Sequence, residues 1–97
     1  MKAIFISYDQ AHQEKVIDLL SRNLQRGFTM WEQTQGRGSQ KGEPHYGSHA
    51  WPGLNGSIMA FCEDDRVAPI LASLKALDAD KPMLGLRAFV MPVEQML

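Results

Sequence analysis

A chain of 97 residues with a single cysteine, a net charge of −1 and no apolar run long enough to span a bilayer excludes several classes before any motif is read. One thiol forms no internal disulfide, and Cys62, between Ala60-Phe61 and Glu63, reads as the end of a buried strand, not a reactive group. Ten basic side chains against eleven acidic ones give no electrostatic case for nucleic acid or for insertion into an anionic membrane. No charged segment precedes an apolar one in the manner of a secretory leader, so the cytoplasm is the expected compartment. No Ser/His/Asp or Cys/His set recommends itself for nucleophilic catalysis, and the paired acids Asp64 and Asp65 read as helix caps. The expectation is a single domain over residues 1–97 that is not an enzyme.

What the sequence does contain is periodic. Lys2 to Tyr8 is apolar at successive positions, as in a strand buried on both faces. Asp9 then offers an N-cap, and Val16, Ile17, Leu20 and Leu24 make the stripe of an amphipathic helix over 10–26, with Gly27 as its stop. Phe28 to Thr34 reads as a second strand and Ser57 to Cys62 as a third. A second helix follows Asp64 and Asp65, with Val67, Ile70, Leu71, Leu74 and Leu77 as its stripe, and Pro69 implies a late start. Asp78 to Pro82 reads as a turn, and Leu84 to Val90 as the last strand. Met30, Met59 and Met91 are expected to fill the core, Trp31 to pack on the sheet, and His12 to be solvated.

Strand, helix, strand, strand, helix, strand is the α+β, ferredoxin-like βαββαβ order, with both helices on one face of an antiparallel sheet. Two helices cover one face only, whereas strands one and three are apolar on both. The expectation that follows is a closed homo-oligomer in which sheets pack against sheets.

Between strands two and three lies a loop, 36–56, that holds Gly36, Gly38, Gly42, Gly47, Gly53 and Gly56, six of the eight glycines. Loops of this length are uncommon in compact domains and are usually functional. Its glycines match neither a dinucleotide fingerprint, which needs glycine where Lys41 stands, nor a P-loop, which needs glycine at Gln40 and a hydroxyl at Gly42. Two readings stay open: a run of unobstructed backbone N–H groups beside Arg37 and Lys41 that cradles an anion, or a hairpin loop with solvated charges. His45 and His49 likewise read either as ligands of a zinc or copper ion or as exposed polar residues at a contact surface. Glu43, His45, Tyr46, His49 and Trp51 are the side chains suited to gripping a partner, with the two aromatics as anchors, and no apolar pattern inside the loop is expected to hold it in one shape.

Gly27-Phe28-Thr29, Gly36-x-Gly38-x-Gln40-Lys41-Gly42, Asp64-Asp65-x-Val67 and Ala88-Phe89-Val90-x-Pro92-Val93 resemble, in order and spacing, the P-II signal-transduction proteins over nearly the whole chain. The resemblance implies a ferredoxin-like homotrimer whose long T-loop controls a membrane transporter or an enzyme, with ATP, ADP or AMP in the clefts between subunits. Carried over position by position, it implies nucleotide contacts from Thr29, Gly36, Arg37, Gly38, Ser39, Gln40, Lys41, Gly42, Gly85 and Arg87. Ser39 stands where the family commonly has arginine, Asn55 where it has the lysine that holds 2-oxoglutarate, and a basic C-terminal tail is lacking. Weak nucleotide binding and no 2-oxoglutarate binding are expected from these departures, and the chain is similar, more loosely than to the family, to the subgroup associated with heavy-metal efflux transporters. The alternative is a metal-binding trimer similar to the CutA type, using His45 and His49.

Overall fold

The computed structural model describes residues 1–37, 40, 44–47 and 54–97. Strand β1 spans Lys2–Asp9, a 3-10 turn at Gln10–His12 leads into helix α1, Gln13–Arg22, and β2 and β3 span Thr29–Thr34 and Asn55–Cys62. Helix α2 runs over Asp64–Asp80, a second 3-10 turn over Pro82–Leu84, and β4 over Arg87–Pro92. The strands form one sheet in the order β2-β3-β1-β4, and every neighbouring pair is antiparallel. This is the ferredoxin-like architecture that the order of apolar periods implies.

The β1–β3 ladder sets both faces of that sheet. Residues directly opposite in an antiparallel pair share a face. Ile4 with Ala60 and Ile6 with Ile58 therefore project to one side, as does Tyr8 beside Gly56. There they meet Val16, Leu19 and Leu20 of α1 and Ile70 and Leu74 of α2 in one core, with Cys62 and Leu86 at its margins. Burial pushes the Cys62 thiol up, which suits the role of a small apolar filler. On the other side, Phe5 stands opposite Met59 and Phe89, and Ala3 opposite Phe61 and Met91. Phe61 is 54% exposed and Phe89 56%, so this face is apolar and uncovered in the single chain. Met91, expected in the core, lies on this face, and Trp31 joins it in the row that runs through Ser57 and Ser7 to Arg87.

Several boundaries differ from the sequence expectation for identifiable reasons. Helix α1 ends at Arg22, not at Arg26, because a Schellman closure intervenes: the Leu24 and Gln25 amides donate to the Ser21 and Leu20 carbonyls. Leu24 takes the left-handed conformation (φ 62) that glycine usually supplies there, and its side chain points to solvent instead of extending the apolar stripe. Gly27 is not the stop. Helix α2 begins at Asp64 with Pro69 inside it, and Glu63 is the N-cap without a side-chain bond. Asp64 instead accepts from the N-terminal amine at 2.8 Å, which holds its carboxyl below the usual range. The segment read as a turn continues α2 to Asp80, and β4 starts at Arg87, later than Leu84, because Pro82 to Leu84 form a 3-10 turn closed by Gly85 at φ 73. The β2–β3 register shifts between Trp31 and Thr34, which marks a bulge at the end of β2 nearest the loop.

His12 is also not solvated. It is 2% exposed, at the start of α1, and neither ring nitrogen has a partner among the described residues. Burial pushes its pKa below the usual histidine value, with Lys15 and Lys81 adding to the effect and Asp9 and Asp78 opposing it. A histidine held neutral by folding stabilises the native state fully above its unfolded pKa of about 6.5 and less as pH falls below it, where the unfolded chain takes up the proton first. We expect His12→Leu to remove part of the stability lost between pH 7 and pH 5. Urea unfolding of both proteins at the two pH values measures it, with the variant losing less stability than the parent on acidification.

Candidate functional site

Where β1 and β3 run out beside the loop, the open face of the sheet turns polar. Asp9 stands opposite Asn55, and Ser7 opposite Ser57. Asp9 is held in place by its first carboxylate oxygen, which caps the 3-10 turn by accepting from the Ala11 amide at 2.8 Å. Asn55 and Ser57 are both buried, although no helix covers this side. The loop covers Asn55, and Ser57 shares a hydrogen bond with Thr34 of β2.

His45 is 8% exposed, and its Nδ1 donates to Asn55 Oδ1 at 2.6 Å, while Asp9 Oδ2 lies 3.6 Å from the same nitrogen. A carbonyl oxygen only accepts, so this contact places the imidazole proton on Nδ1. The backbone of His45 is fixed as well: its amide donates to the Gly36 carbonyl at 2.6 Å, and the Gly36 amide to the His45 carbonyl at 3.0 Å. Beside this bridge, Gln35 Nε2 donates to the Tyr46 carbonyl at 2.6 Å. A Cβ on Gly36 would lie 3.4 Å from Asn55 Nδ2, so the bridge sits directly against the Asn55 amide. The far side of the loop is anchored too, since the Leu54 carbonyl accepts from the Gln10 amide at 3.0 Å and Leu54 packs where a Cβ on Gly47 would be.

These contacts correct two expectations. His45 is not an exposed polar residue at a contact surface, because its Nδ1 and its backbone are both committed internally. The described part of the loop is held at Gly36, His45 and Leu54 by polar bonds, not by an apolar pattern. Its boundary shifts as well: Asn55 and Gly56 belong to β3. Asp9 and Asn55 are neighbours of His45 that sequence reasoning did not join to it. Asp9 was legible as a cap but not as a partner of His45, and no spacing rule joins residues 9, 45 and 55.

The other proposed contacts divide between two places. Arg37 and Gln40 are exposed, and Gly36 is half-buried in the bridge. Thr29 lies on the open face opposite Met59, at the rim of a shallow pocket of about 230 Å³ lined by Gly27, Phe28, Thr29, Met59 and Phe61. Gly85 and Arg87 are at the opposite edge of the sheet, where Arg87 NH1 donates to the Leu86 carbonyl. Within one chain these two groups are not brought together: β2 and β4 are separated by β3 and β1. Gly38, Ser39, Lys41, Gly42, Glu43, His49 and Trp51 lie outside the described residues. Among the described residues no three His, Cys, Asp or Glu side chains converge as metal ligands.

The family model for nitrogen regulatory protein P-II matches residues 1–97. The chain belongs to the P-II family. No curated protein matches it. Among solved structures, the P-II chain is similar to CPII, a nitrogen regulatory PII-like protein from Thiomonas intermedia K12, bound to ADP, AMP and bicarbonate, at 24% identity and a TM-score of 0.75 over 93% of this chain and 82% of that one. The apo form of CPII is similar at 21% identity and a TM-score of 0.70, over 93% and 85% of the two chains. A PII-like signalling protein from Thermus thermophilus, TTHA0516, is similar at 19% identity and a TM-score of 0.66, over 93% and 83%. At these identities the structures establish a shared fold, and the family match establishes membership.

The site rests on one close approach in β3. A Cβ on Gly56 would fall 2.6 Å from the ring of Tyr8, which is fully buried and cannot swing away. Gly56→Ala should therefore destabilise the domain by about 1–3 kcal/mol through overpacking, measured as a lower urea midpoint at unchanged slope.

Proposed function

We propose that this P-II family protein is a homotrimeric regulator that binds an adenine nucleotide between subunits and controls a transporter or an enzyme in the cytoplasm through its loop. The observation that carries the proposal is the separation of the two groups of family-matched residues. Thr29, Gly36 and Arg37 stand at the β2 side of the sheet and Gly85 and Arg87 at the β4 side, so one ligand touches both groups only across a boundary between two chains. The uncovered apolar face supplies the means of association: Phe5, Met59, Phe61, Phe89 and Met91 make a surface that two helices leave in water. A closed ring buries the same patch on every copy.

The ligand class rests on the family and on the ADP and AMP held by CPII. Bicarbonate, also held there, is a candidate second ligand. Against 2-oxoglutarate stands Asn55, which carries no charge and whose amide oxygen is already bonded to His45. Binding one shape of the loop better than another would let the nucleotide shift the population that meets the partner. The target is a transporter or an enzyme, with metal-efflux transporters the first to test by pull-down, and the protein acts as a regulator instead of turning over a substrate. Among the described residues, no helix is long and apolar enough to cross a membrane.

Two measurements test this reading. Phe89→Glu places a carboxylate in the middle of the apolar face and should convert the trimer to a folded monomer at micromolar concentration. Sedimentation equilibrium decides it, and a wild-type monomer would remove the argument for a cleft between subunits. Isothermal calorimetry with ATP, ADP and AMP, with and without bicarbonate, should register at least one nucleotide and give no heat with 2-oxoglutarate. Arg37→Ala should weaken that nucleotide about tenfold, the loss expected for one charge-assisted bond to phosphate. Silence with all three nucleotides would overturn the ligand class.

A further inference from the structure

The bridge between Gly36 and His45 has a cation on one strand and an aromatic ring on the other. Arg37 follows Gly36 and is exposed, and Tyr46 follows His45 and is 40% exposed. Between them the His45 ring is buried against Asn55 and beside Asp9 at the end of the β1–β3 ladder. An isolated bridge of two backbone bonds is weak by itself, because each such bond contributes only modestly in water. Here the ring adds a buried bond that ties the bridge to the most regular part of the sheet.

We propose that His45 is a positioning residue: by clamping the Gly36–His45 bridge to Asp9 and Asn55, it couples the Arg37 side of the loop to the Tyr46 side. A ligand that engages Arg37 pulls on Gly36, and through the two backbone bonds on His45. Any rearrangement that frees His45 from Asn55 releases Tyr46 and the Gln35 contact with it. The coupling runs through one element with two discrete arrangements, docked and undocked, which is the physical requirement for transmission between sites. Freeing the ring leaves the buried Asn55 Oδ1 without its donor, so the undocked arrangement is disfavoured until a ligand or partner compensates. The reading deepens the proposed function and rests on it for the nucleotide, but not for the clamp.

Hydrogen exchange separates the two. The amides of Gly36 and His45 donate to each other's carbonyls, so their exchange reports the bridge directly. In His45→Ala we expect both to exchange at least about tenfold faster, with the β1–β3 amides unchanged. His45→Asn, whose Nδ2 can donate from nearly the position of Nδ1, should recover much of the protection. Calorimetry with ADP on the same proteins should show affinity falling about tenfold in His45→Ala and recovering in His45→Asn. Unchanged exchange in His45→Ala overturns the clamp. Faster exchange with unchanged ADP affinity overturns the coupling while leaving the clamp. If ADP fails to bind the wild-type protein, the nucleotide reading fails, and the exchange arm still decides whether His45 clamps the loop.

Discussion

Everything in this domain hangs on the β1–β3 ladder, and the constraint it imposes is the period of two. Eight successive pairs from Lys2 with Cys62 to Asp9 with Asn55 assign every side chain of the two central strands to one face or the other. A slip of one residue would exchange Ile4, Ile6 and Tyr8 for Ala3, Phe5 and Ser7. The helices would then meet a surface too small and too polar to hold them. Gly56 helps fix this register, since only a residue without a Cβ fits beside the Tyr8 ring. The same ladder delivers Asp9 and Asn55 side by side at the loop end of the open face, where His45 docks.

That open face divides along its length. Phe5, Met59, Phe61, Phe89 and Met91 occupy one part, while Asp9, Asn55 and Ser57 occupy the other, where His45 docks on Asn55. The division follows from polarity. Asn55 has an amide oxygen that one imidazole of the loop satisfies, whereas the phenylalanines offer nothing to a polar strap. One sheet face is thus treated in two ways, with an intramolecular contact at one end and an uncovered apolar surface at the other.

How much of this the sequence disclosed depends on the range of the interactions. Element order came from apolar periodicity, which is local, and strands and helices were found where Ile4, Ile6, Val16, Leu20, Ile58, Ile70 and Leu74 said they would be. Ends were missed where a local contact outweighed propensity. Leu24 in the left-handed conformation halts α1 because two carbonyls gain partners, and nothing in a leucine announces that. Pro69 sits inside α2 with its ring exposed on the outer surface, and burial of Ile70 and Leu74 offsets the hydrogen bond it forgoes. His12 and His45 were misjudged for one reason: a histidine has no preferred depth, and burial depends on what tertiary structure brings to it. The clamp could not be read at all, since it joins residues 9, 45 and 55 across three elements. The family likeness supplied the expected trimer and nucleotide, neither of which follows from spacing.

The bulge at the loop end of β2 has a bearing on how copies of this chain stack. A four-stranded open sheet ends in two borders whose N–H and C=O groups can recruit another strand, and unlimited recruitment produces fibres. On one border the register shift between Trp31 and Thr34 breaks the regular spacing of those groups, and on the other β4 terminates in Pro92, which has no N–H to offer. Lateral growth by strand addition is thus impeded along both margins. The apolar face, and not a strand edge, is the surface that the proposed ring would use.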